Sequence, residues 1–157
     1  MSIFSSHDII IVDATAEHIR ELKETIRSDD RDEVEAYGVS CAKGLWLSFK
    51  HGLMNKTYLV DGKVAAIAGC AGTIIGETGQ PWLLTSHEVE KISPIKFARL
   101  YKMEVMKMLE KFPILENFCA AEYHKAIRLL RITGFKIGEP EKVGKGMFRK
   151  FTMQREI

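Results

Sequence analysis

At 157 residues, with 46% apolar and 28% charged side chains, the chain has the size and make-up of one globular domain spanning 1–157. A formal net charge of +2 gives no electrostatic case for nucleic acid or a membrane surface as a partner. Cys41, Cys70 and Cys119 are odd in number and lack CxxC spacing, which argues against a disulfide framework or a zinc site. With no basic leader and no run of eighteen apolar residues, the cytoplasm is the expected compartment.

Ile9–Val12 is a β-branched run that predicts a first strand. Thr15 offers an N-cap, and Ile19, Leu22 and Ile26 keep a helical spacing behind it. Ser28–Glu35 is dense in charge and predicts a turn followed by a short helix. Cys41, Leu45 and Phe49 space a further helix, with Gly52 as its stop. Thr57–Val60 and Val64–Cys70 flank Asp61-Gly62, a pair suited to the positive φ angles of a tight hairpin turn. Gly69 and Gly72 signal a bulge or a close backbone approach. Gly76–Pro81 predicts a turn and Trp82–Thr85 a fourth strand.

Ser93-Pro94 starts a long helix, a cap followed by proline at the first helical position. Phe97, Leu100, Tyr101, Val105, Met108 and Leu109 share its apolar face. Phe118–Ala121 is a fifth strand, and His124–Thr133 is a helix ended by Gly134. Phe135–Ile137 and Phe148–Met153 complete the chain as strands, near a basic cluster of Lys142, Lys145, Arg149 and Lys150 that reads as a solvated edge. Cys70 and Cys119 lie in apolar runs and read as small buried hydrophobes. A hairpin meander followed by βαβ units predicts an α/β domain, a mixed sheet of about seven strands with helices on both faces.

That element order, with Ala126-Ile127-Arg128-Leu129-Leu130-Arg131-Ile132-Thr133-Gly134-Phe135 at its end, resembles the GCN5-related N-acetyltransferase (GNAT) family, whose last helix ends in a Gly-Phe pair. The stretch from Pro81-Trp82-Leu83-Leu84-Thr85-Ser86 to Gly134 also resembles the internal virion protein A family of short-tailed coliphages, which is related to GNAT proteins in fold. The first resemblance implies transfer of an acyl group from acetyl-CoA or another acyl-CoA to an amine. The second implies a phage setting, with a host protein, a small amine or virion proteins as partners, or a structural role without catalysis.

The GNAT resemblance also implies where the site lies. The cofactor arm pairs with the fourth strand, here Leu83, Leu84 and Thr85. Its pyrophosphate sits on the start of the next helix, here Ser93, Ile95 and Lys96, where free N–H groups and the helix dipole favour an anion. The family's glycine-rich signature is absent: Thr85–Pro94 contains no glycine, carries Glu88 and Glu90, and ends in a proline. Tyr123 stands where family members carry a cofactor-contacting asparagine, and Leu130 where they carry the tyrosine that protonates the thiolate. Tyr123 is the substitute candidate for that acid, and Glu122 and His124 are candidates for the general base. His87 and Glu88, just past the fourth strand, are further base candidates.

Overall fold

The computed structural model describes residues 7–36, 41–72 and 76–156. In chain order the elements are β1 (Ile9–Asp13), α1 (Ala16–Thr25), α2 (Ser28–Ala36), α3 (Cys41–His51), β2 (Gly52–Val60), β3 (Lys63–Gly72), β4 (Thr78–Thr85), α4 (Pro94–Lys111), β5 (Ile114–Ala120), α5 (His124–Thr133), β6 (Lys136–Val143) and β7 (Gly146–Gln154). A 3-10 turn, His87–Lys91, joins β4 to α4. The strands form one sheet in the order β1-β2-β3-β4-β5-β7-β6, antiparallel except where β4 meets β5. No helix among the described residues is long and apolar enough to cross a membrane.

The local signals act as their chemistry requires. Asp61 and Gly62 both have positive φ, 51° and 81°, closing the β2–β3 hairpin. The Asp61 carboxylate also accepts the Asp8 N–H at 2.9 Å, tying that turn to the start of β1. Ser93 Oγ caps Lys96 N–H at 3.2 Å. Gly134, at φ 115°, ends α5, and both its N–H and that of Phe135 return to Leu130 C=O.

Two apolar layers enclose the sheet. The larger lies under α4 and α5 and includes Tyr58, Tyr101, Val105, Met108, Leu115, Cys119 and Phe151. The smaller lies under α1 and holds Ile19, Leu22, Ile26, Val64, Ile67 and Leu84. Cys70 and Cys119 are buried, as their apolar context predicts. The Cys41 and Leu45 side chains lie outside the described residues.

Several strands run longer than their apolar runs suggest. β2 begins at Gly52 rather than Thr57, and β4 at Thr78 rather than Trp82. Proline reads as a break at Pro81, but its nitrogen lies on the β4 edge beyond the last pair with β5, so no ladder bond is lost. β6 extends to Val143 as a charged edge strand, with a register shift between Ile137 and Pro140. The close approach expected at Gly69 is present, whereas the nearby irregularity lies across the ladder in β2, between Leu53 and Lys56. A Cβ on Gly69 would stand 2.3 Å from Asn55 Oδ1 and 2.6 Å from the Trp82 ring. Gly69→Ala should therefore cost about 1–3 kcal/mol by overpacking against the rigid indole, read as a lower urea midpoint with an unchanged slope.

Candidate functional site

β4 and β5 pair only through Thr78↔Ile114 and Gly79↔Leu115, and then diverge. Thr85 N–H and C=O are both bonded away from β3, and strand alternation puts those of Leu83 and the C=O of Pro81 on the same side. The opposing edge of β5 presents the N–H groups of Phe118 and Ala120. A cavity of about 580 Å³ occupies the opening. It runs through the sheet, because its walls include Phe97, Tyr101 and Leu129 from one face and Val34, Gly44, Ser48 and Trp82 from the other.

Parted strand edges leave backbone donors and acceptors without partners, and side chains take most of them. Asn117 bridges the opening: its Nδ2 donates to Pro81 C=O at 2.9 Å and its Oδ1 accepts Phe118 N–H at 2.8 Å. Glu33 Oε2 accepts Ala120 N–H at 2.9 Å. Asp30 Oδ2 accepts both the N–H and the hydroxyl of Thr85, at 2.6 and 2.5 Å. Continuing the β4–β5 register places Leu83 across from Cys119, beside the Glu33 contact. On the β4 side this leaves Leu83 N–H and C=O facing the cavity.

Arg27 and α2 assemble this arrangement. Ile26 bridges Ser86, and Arg27 N–H donates to Thr85 C=O at 2.9 Å, so the α1–α2 junction replaces β5 along the end of β4. Asp29 and Asp30 suit the positive end of α2. Asp30 and Glu33, three residues apart, project from one side. Arg27 Nε donates to Thr85 Oγ1 at 2.7 Å, and its Nη2 donates to Tyr123 Oη at 2.8 Å. Tyr123 O–H donates in turn to Asp30 Oδ1 at 2.6 Å.

Burial raises the Asp30 carboxyl pKa against these hydrogen bonds. Burial also pushes Glu33 up to about 7, an increase assisted by the Asp30 charge and opposed by the Ala120 N–H. Tyr123 is pushed up by burial and then by Asp30, so its phenol stays protonated. A carboxyl poised near neutrality at the edge of a cavity has the acid–base behaviour of a proton acceptor for an amine.

Of the residues predicted from sequence, Leu83, Leu84, Thr85 and Tyr123 line the cavity. Glu122 and His124 are 87% and 78% exposed and face each other at 3.4 Å. They stand outside that cavity, and Glu122 borders a smaller hollow of about 210 Å³ that Glu33 also lines. His87 is an exposed partner of Glu90, at 3.6 Å. Ser93 and Lys96 form the α4 cap, and Ile95 is 60% exposed beside it. Arg27, Asp30, Glu33 and Asn117 were not found from sequence. The sole hint was a charge-dense helix with Val34 as its one large apolar residue.

No family model and no curated protein matches the chain. Solved structures do. The aminoglycoside acetyltransferase AAC(6')-Ib in complex with ribostamycin and coenzyme A is similar, with a TM-score of 0.68, 12% identity, and 94% of each chain covered. A GNAT-family acetyltransferase from Bacillus anthracis gives 0.64 at 10% identity over 92% of each chain. One from Streptococcus pneumoniae gives 0.63 at 10% identity, covering 94% of this chain and 99% of that one. The chain therefore has the GNAT acetyltransferase fold.

The raised Glu33 carboxyl carries a consequence for stability. Its folded pKa of about 7 exceeds the ordinary 4.5, so its contribution is full below pH 4.5 and is lost as pH rises through 7. Glu33→Gln keeps an acceptor for Ala120 N–H and removes the titration. Wild type should lose on the order of 2–3 kcal/mol relative to Glu33→Gln between pH 4.5 and 7.5, measured by urea unfolding. Tyr123→Phe should cost about 1–3 kcal/mol at neutral pH by taking a donor from buried Asp30.

Proposed function

We propose that the protein is an acyl-CoA-dependent N-acyltransferase whose acceptor is a primary amine, on a small molecule or a host protein. The observation that carries this reading is the cavity through the sheet, with Leu83 N–H and C=O free along its β4 wall and Glu33 at its β5 wall. An extended amide-bearing arm fits such a strand edge, which offers one donor and one acceptor. Bound acyl-CoA supplies a thioester carbonyl open to attack by nitrogen.

Glu33 takes a proton from the incoming ammonium, which frees the lone pair that forms the new C–N bond. Leu83 N–H donates to the carbonyl oxygen as it gains charge. The C–S bond breaks, and of the two protons lost by nitrogen one leaves through Glu33 and the other ends on sulfur. Tyr123 is a positioning residue here, because its hydrogen is committed to Asp30 while Arg27 donates to its oxygen. Asp30 in turn holds Thr85 and the end of β4. The exposed Glu122 and His124 remain candidates only for accepting protons at the rim.

A second reading is a GNAT-fold phage protein without catalysis, serving virion assembly or gripping a host factor in the infected cytoplasm. The internal satisfaction of Thr85, Pro81 and Phe118 favours it, since those groups no longer await a ligand. Calorimetric titration with acetyl-CoA separates the two. Micromolar binding supports the enzyme, whereas no heat at millimolar ligand overturns it. With an accepted amine, Glu33→Gln should lower kcat about 10²-fold and abolish the rise of kcat/KM with pH near 7, followed by thiol release.

A further inference from the structure

We propose that the phosphate-bearing end of the acyl carrier is held by Lys125 and Arg128 on α5, in place of backbone N–H groups at the start of α4. The proposal rests on the acyl-carrier reading above and concerns how this chain meets the carrier's negative charge.

The start of α4 is poor in free donors. Pro94 has no N–H and Lys96 N–H is taken by Ser93 Oγ at 3.2 Å, which leaves Ile95 N–H as the donor of the first turn. The 3-10 turn before it adds carboxylates rather than glycine N–H groups. Lys91 is committed to Glu88 at 2.5 Å, and Glu90 lines the cavity itself, 3.8 Å from the Arg27 guanidinium. A phosphate dianion placed there meets Glu90 with few donors to compensate.

The wall formed by α5 has the opposite character. Lys125 and Arg128 both line the same cavity and, three residues apart, lie on one side of the helix. Neither is in an ion pair among the described residues. Both are exposed, and each carries its cationic head on a long, flexible side chain. A guanidinium offers a fork that matches phosphate oxygens, and an ammonium adds a mobile point charge. Tyr123 supplies no side-chain cap, so the first N–H groups of α5 keep the same sign of field. The cavity thus carries cationic side chains on α5 and an acidic one, Glu90, on the turn before α4.

Titration calorimetry with coenzyme A and with pantetheine, which lacks the phosphates, tests the assignment. Wild type should bind coenzyme A at least tenfold more tightly than pantetheine. The double variant Lys125→Ala/Arg128→Ala should lose that tenfold advantage, bind pantetheine as before, and show a shallower dependence of log Kd on log salt. Lys96→Ala should change either Kd by less than twofold. Both substituted side chains are exposed, and an unchanged circular dichroism melt confirms that the double variant folds. The assignment is overturned if the double variant keeps the preference, if Lys96→Ala removes it, or if wild type shows none. A wild type that binds neither probe at millimolar concentration overturns the acyl-carrier reading and this assignment with it.

Discussion

The structure depends on a deliberate interruption in its sheet. After Gly79 and Leu115, β4 and β5 stop sharing hydrogen bonds, and each parted edge exposes backbone groups that must be satisfied inside the domain. The solution is polar and asymmetric. Asp30, Glu33 and Asn117 replace the missing ladder one group at a time, leaving Leu83 available. Everything of chemical interest follows from that replacement. Asp30 is buried and Glu33 half-buried where backbone N–H groups need acceptors, and that desolvation is what raises the pKa of each.

This makes α2 the decisive element, although it contributes little to the apolar core. Its two inward carboxylates reach opposite lips of the opening, Asp30 the end of β4 and Glu33 the end of β5. Arg27 offsets part of the negative charge and meets Thr85 and Tyr123, so strand, helix and α5 entry share one network. Such a network is sensitive to the loss of any member, since each lost partner strands a desolvated group.

The scaffold was legible in the sequence wherever local chemistry decides the outcome. Asp61-Gly62, Ser93-Pro94 and Gly134-Phe135 act within a few residues of themselves, and the structure uses each as its composition demands. The cavity wall at Leu83–Thr85 followed from the resemblance to GNAT proteins, which supplied the parting of the fourth and fifth strands. The working carboxylates did not. Asp30 meets Thr85 55 residues away and Tyr123 93 residues away, and Glu33 meets Ala120 at a separation of 87. A run such as Ser28–Glu35 carries no local mark of burial, because what buries it is the absence of a neighbouring strand elsewhere. For the same reason Glu122 and His124, attractive by their position beside β5, turn outward once α5 begins.

Asn117 has a consequence of a mechanical kind. The sheet is two half-sheets, β1–β4 and β5–β7, sewn together by two residue pairs at one end and by one amide stitch further along. Beyond that stitch the halves are held apart by a helix wedge that grips both lips. Past the two residue pairs, their separation is spanned by side chains and not by strand register. Substitution at 30, 33 or 117 would act first on that separation, and on the ladders within each half-sheet only through the backbone groups it strands.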